Sequence, residues 1–162
     1  MLAVALPLLL LAGCGGSGSS TTTTTTAAGT TASQTKTALL ADVRLFPSRV
    51  VFDFRTPPAH ASAHYTDPTK VVVAGTTTPA KIAGSAVLLV TFTPASGTEV
   101  VNGRKELVYK GQRRLMPGTQ GAVREALRVR DSGNVVTWAI GLDKKRQYTV
   151  SHDRSNVVVT FS

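Results

Sequence analysis

One cysteine stands among 162 residues, so no disulfide can form within the chain and packing alone must hold its fold. Acids are scarce: nine Asp and Glu face eighteen Lys and Arg, for a net charge of +9 and a pI near 10.3. No apolar run reaches the roughly 20 residues that a bilayer-crossing helix needs. No stretch reads as a helix. There is no Gly-x-Ser-x-Gly elbow to expose a serine nucleophile, and Gly103, Gly111 and Gly118 are spaced turns rather than a phosphate-cradling loop. Only three histidines are present, His60, His64 and His152. His60 and His64 have the spacing that shares a metal on a helix, yet Pro57-Pro58 and Pro68 bracket them and no Glu lies between to act as a base. They read as exposed imidazoles on a loop. A triad of Ser62 or Ser96 with His152 exists only on paper, because geometry rather than composition makes a triad. No paired-carboxylate signature stands out for glycoside cleavage. The expectation is a protein without catalytic residues, metal or cofactor.

What is present begins at the N-terminus. Met1–Ala12 is apolar and has the length of a secretory signal core. Neither Lys nor Arg precedes it, so the translation start is expected further upstream. Leu11-Ala12-Gly13-Cys14 resembles a bacterial lipobox, whose cysteine is alkylated by a diacylglyceryl group and becomes the new N-terminus after cleavage. An unpaired thiol among small residues suits that chemistry. The resemblance implies residues 1–13 as leader, Cys14 as the lipidation site, and anchorage at the extracytoplasmic face of the cell membrane. Two or more acyl chains hold a protein there, where one is marginal. Residues 15–37 are Gly, Ser, Thr and Ala with almost no charge, including the unbroken run Thr21–Thr26. Such a tract buries too little apolar surface to offset its ordering entropy. It is expected to be a disordered tether spanning roughly 25 Å.

Residues 38–162 are left for one folded domain. Period-two alternation dominates them. Arg49–Arg55 sets Val50, Phe52 and Phe54 on one face, and Thr56-Pro57-Pro58 ends the strand. Lys70–Val73 reads as a short strand, with Tyr65 the start of another. The continuous run Ala86–Phe92 predicts a central strand covered on both faces. Leu107–Lys110 predicts a strand running into Gly111. Ala122–Arg130 predicts a strand with Val123, Glu125, Leu127 and Val129 on one side and Arg124, Arg128 and Arg130 together on the other. Val135–Leu142 places Val136, Trp138, Ile140 and Leu142 inward, which makes Trp138 a core residue rather than a sugar platform. Gln147–Ser151 and Val157–Phe161 follow as two further strands. Short strands separated by turns indicate an all-β protein, a small antiparallel β-sandwich.

The series RVVFDF, AVLLVTFTPA, LVYKGQRRL, AVREALRVRDSGNVVTWAIGLD and QYTVSHDRSNVVVTF resembles the AMIN-like domain of bacterial lipoproteins over about residues 42–162. Its most specific piece is VVTWAIGLD, Val135–Asp143. Gln147-Tyr148 and the loop His152–Asn156 depart from the family pattern. The resemblance implies a β-sandwich related to AMIN domains, which accompany wall amidases and secretin-type proteins and hold them at peptidoglycan. It carries over no catalytic residue.

The charge points the same way. Between Arg104 and Arg146 eleven cations face four carboxylates. In the cytosol such a balance would suggest nucleic acid, but an exported chain meets headgroups, wall phosphates and peptide-stem carboxylates instead. Nucleic acid is therefore not the expected partner. Arg124, Arg128 and Arg130, joined by Arg113, Arg114, Lys144 and Lys145, form the candidate ligand face, with Tyr109 or Tyr65 available for stacking. The expected partner is peptidoglycan or another anionic wall polymer. The alternative is an envelope protein docked through a strand edge or the basic face.

Overall fold

A computed structural model describes residues 36–162. The expected leader, Cys14 and nearly all of the tether lie outside the described residues. Alternation builds the first layer. In β2 (Arg49–Phe54), Val50, Phe52 and Phe54 are buried while Arg49 is exposed. β2 pairs antiparallel with β1 (Ala38–Phe46) on one side and with β12 (Asn156–Phe161) on the other. β11 (Tyr148–Asp153) extends the sheet beyond β12, and β5 (Ala95–Ser96) adds a parallel pair to the start of β1.

The second layer runs in the order β3 (His60–Thr66), β4 (Ala86–Thr93), β10 (Val135–Leu142), β9 (Val123–Ser132) and β8 (Arg114–Leu115). The two sheets enclose one main core. Trp138 is fully buried there, edge-on to Phe52 at 6.1 Å and to Tyr109 at 5.6 Å, and Phe92 meets Phe52 at 4.8 Å. These are the tilted geometries that aromatic quadrupoles favour. A separate hairpin of β6 (Thr98–Val101) and β7 (Arg104–Leu107) turns at Asn102-Gly103, both at positive φ, as a two-residue hairpin turn requires.

β4 is central and covered on both faces, as its unbroken apolar run predicts. Its cover comes from a segment that alternation did not identify. Lys70–Val73 is not a strand: Asp67 caps a single 3₁₀ turn, Pro68–Lys70, and Val72 makes only one bridge, to Pro79. Proline favours that turn by fixing φ. Val71 then drops onto the outer face of the second sheet, where it meets Val87, Leu127, Val129 and Ala139, with Val73, Ala80 and Ile82 beside it.

Three further expectations are corrected. His60–Thr66 is an edge strand rather than a loop; Ala61, Ala63 and Tyr65 pack against the core, and His60, Ser62 and His64 are exposed. Four residues of strand separate the two imidazoles by ~13 Å of backbone, too far to share one ion. The strand predicted at Leu107–Lys110 ends at Leu107, because the Val108 and Tyr109 amides both donate to the Gly97 carbonyl (2.9 and 3.0 Å) and Tyr109 turns into the core.

The third correction concerns register. Along β10, Thr137 faces Arg130 but Trp138 faces Arg128, so Val129 is an extra residue; Gly141 faces Glu125 but Leu142 faces Val123, so Arg124 is another. These are two β-bulges, and each reverses the alternation of β9 beyond it. Val123 and Ala126 therefore point into the main core while Glu125, Leu127 and Val129 point outward.

Candidate functional site

The bulges divide the predicted arginine face. Arg130 shares the outer side with Thr137, whereas Arg128 shares the inner side with Trp138. The Arg128 guanidinium lies 4.9 Å from the Tyr109 ring centre and donates to Asp131 at 3.1 Å. Arg124 is set apart, beside the Met116–Gln120 loop and Asp143. Lys144 donates its amide to that same Asp143 at 2.8 Å, while Lys145 Nζ stands 5.3 Å from the Tyr65 ring.

Tyr109 is not available for stacking. It is 2% exposed, with its hydroxyl donating to the Gln112 carbonyl at 2.8 Å. Burial pushes its pKa above the ordinary phenol value, against the opposing pull of Arg128.

What the fold does bring together is a margin along β8 and β9. Arg113, Arg114, Arg128 and Arg130 line two depressions of about 460 and 200 Å³ that meet at Arg113. The larger has an apolar floor of Val73, Ala80 and Leu127, with Thr76 and Thr78 at its rim. Pairing places Arg114 opposite Leu127, on the outer face. From there it donates to the Glu125 carboxylate and, at 3.1 Å, to the Lys81 carbonyl. Glu125, 1% exposed, also accepts the Ala83 amide at 2.8 Å, so one buried carboxylate ties β8 and the covering segment to β9. Arg113 donates Nε to the Arg128 carbonyl at 2.9 Å. Among the described residues, the terminal nitrogens of Arg113 and the whole guanidinium of Arg130 meet no protein acceptor. Arg114 and Arg128 are neutralised in place. Two planar cations are left facing solvent, Arg113 beside that apolar floor and Arg130 in the adjoining depression, an arrangement that accepts carboxylate or phosphate bidentately.

A second cleft, about 480 Å³, opens between Tyr65 on β3 and Tyr148 on β11, whose rings meet edge-on at 5.7 Å. The Tyr65 hydroxyl donates to the Arg146 carbonyl at 2.6 Å and accepts its amide at 2.9 Å. Arg146 is held by both oxygens of Asp143 (2.8 and 2.9 Å). That fork first, with the Lys144 amide and the Arg124 charge adding to it, holds the Asp143 carboxyl down at about 2. Arg146 is thus engaged already, and Lys145 is the exposed cation lining this cleft.

Sequence reasoning missed Glu125, Asp131 and the two threonines of the rim. A lone acid inside a basic strand was the one local signal for Glu125; nothing local marks Thr76 and Thr78, which come from a segment distant in sequence. Among the described residues, no group of three or more His, Cys, Asp or Glu side chains is placed to hold a metal ion.

The fold and its margins define a small all-β module with open grooves along its sheet edges. The AMIN-like domain model matches residues 46–161, and the chain belongs to the AMIN-like domain family. Domains of this family are in general non-catalytic modules related to cell-wall polymer binding. No curated protein and no solved structure matches the chain significantly.

Proposed function

We propose that this protein is a non-catalytic module of the cell envelope. It binds peptidoglycan or another anionic wall polymer and is held at the extracytoplasmic face by a lipid on Cys14. The observation that carries the ligand reading is the β8–β9 margin, where the terminal nitrogens of Arg113 beside the Val73–Ala80–Leu127 floor, and the guanidinium of Arg130 in the adjoining depression, meet no acceptor among the described residues. Sugar faces suit such a floor, and stem carboxylates or wall phosphates suit the guanidinium groups. Family membership supports the same class of ligand.

The test is retention on purified sacculi. Arg113→Gln with Arg130→Gln is expected to weaken retention on the order of tenfold, since each removes a charge-assisted hydrogen-bonding group. Unchanged retention would sink the site. Equal retention of the parent chain on heparin and on sacculi, lost together as salt rises, would reduce the binding to unspecific electrostatics. The anchor has its own test: mass spectrometry of the membrane fraction should find a diacylglyceryl adduct on Cys14, and an unmodified soluble chain refutes it.

A second reading, an adaptor for another envelope protein, is favoured by one observation. Among the described residues β3 and β11 each pair on one side only, and they lie near one another on one flank. Two free edges can take an added strand. Crosslinking from Ser62 and Ser151 in cells should then recover a protein partner, and recovery of wall fragments alone argues against it.

A further inference from the structure

The exposed large apolar side chains of the domain are not scattered. Three of the five, Val100 (64% exposed), Leu107 (63%) and Val101 (36%), stand on the β6–β7 hairpin. This hairpin pairs with neither five-stranded sheet. Register sorts its chemistry. Thr98 faces Leu107 and Val100 faces Lys105 on one side; Glu99 faces Glu106 and Val101 faces Arg104 on the other. The first side is apolar with a single cation and carries no acid. Both carboxylates stand on the second, where Arg55 donates to Glu99 at 2.6 Å and ties the hairpin to the end of β2. Thr98, Val100 and Lys105 of this acid-free side border a groove of about 550 Å³ shared with Lys36 and Thr37, where the described chain begins; the groove's two acids, Glu99 and Asp131, are held by Arg55 and Arg128. Lys36 and Lys105 thus stand near the point at which the preceding segment leaves the domain.

We propose that this hairpin is a membrane-contact element. Val100 and Leu107 enter the headgroup region of an anionic phospholipid surface while Lys105 and Lys36 meet its phosphates. Apolar side chains interleaved with cations suit an anionic interface, where each Lys or Arg adds to the attraction. By register the two hairpin acids belong to the other side, and the one that reaches the groove, Glu99, is already paired with Arg55. The contact goes beyond polymer binding: it would set the hairpin side of the domain against the bilayer.

The experiment uses the full chain with Cys14→Ser, which holds no other cysteine. Leu107→Cys or, as control, Ser151→Cys on β11 then carries a single environment-sensitive dye. Vesicles are phosphatidylcholine alone, or phosphatidylcholine and phosphatidylglycerol in equal parts. On the mixed vesicles the dye at position 107 should shift to the blue and be quenched by brominated lipid, and the dye at position 151 should not. Lys105→Glu should weaken the dye response on the order of tenfold, as should Val100→Asp. A dye at position 107 that is unshifted on vesicles which sediment the chain would overturn the proposal. So would equal responses at both positions, or a Val100→Asp effect on self-association in place of vesicle binding. Because Cys14 is absent throughout, failure here is separate from failure of the lipid anchor, and sacculus binding is read in a different assay.

Discussion

Glu125 offers a sharp test of the packing argument, because its two partners differ in what they can do when it is gone. The carboxylate is 1% exposed and holds two donors, the Ala83 amide and Arg114, whose side chain is 48% exposed. Arg114→Ala leaves a buried carboxylate with one amide and no counter-charge, a loss of about 3–5 kcal/mol by analogy with other broken buried pairs. Glu125→Ala leaves a cation that can turn to water and one orphaned amide. Its cost is about 2–3 kcal/mol, made of the unsatisfied donor and the lost buried methylenes. The ordering is therefore asymmetric, with the arginine variant the less stable by about 1.5 kcal/mol between the middles of the two ranges. Replacing both, Arg114→Ala with Glu125→Leu, should be milder than Arg114→Ala alone, since no buried charge is left. Urea denaturation with linear extrapolation reads all three, provided the slopes agree. If Glu125→Ala costs as much as Arg114→Ala, or the double change costs more than either, the carboxylate is not buried in the way described.

Trp138→Phe should cost about 1–2 kcal/mol and Trp138→Ala about 3–5 in the same assay, because the indole Nε1 meets no acceptor among the described residues and only packing is lost. Gly141→Ala sets a methyl against the Ala83 carbonyl and Ile82 and should cost about 1–3 kcal/mol; faster limited proteolysis within residues 71–84 would report the displaced cover, and unaltered proteolysis would count against the contact. Asp143 has a folded pKa depressed to about 2 against 3.8 ordinarily, so its contribution is present above pH 4 and disappears as pH falls from about 4 toward 2. Asp143→Asn should flatten the melting temperature across that window, and a parallel acid profile for both proteins would refute the assignment. Tyr109 shifts the other way: burial raises its pKa, so stability that depends on the neutral phenol holds below pH 10 and falls as pH rises past it. Tyr109→Phe should lose that alkaline step, though it gives up the bond to Gln112.

Alternation made β2, β10 and β12 legible, because a strand with one buried face writes its period into the residues, and β4 showed as an unbroken apolar run because both its faces are covered. Val135–Leu142 coincides with β10, and Trp138 lies in the core as its neighbours Val136 and Ile140 require. The order of strands and their continuous apolar run were enough for an all-β sandwich. β3 was harder to see, since its inward residues Ala61 and Ala63 are too small to raise a strong signal.

The sequence by itself determined the class of fold, the core-facing set of most strands and the excess of positive charge. Which cations stand together was decided only in three dimensions. Strict alternation puts Arg124, Arg128 and Arg130 on one face; the extra residues Arg124 and Val129 reverse β9 at each bulge and part them. A bulge is selected by the partner strand and by the Val71–Ile82 cover packed on the far side, interactions between residues many positions apart. No local pattern contains that information, because a one-residue slip exchanges the faces while leaving composition and hydropathy unchanged.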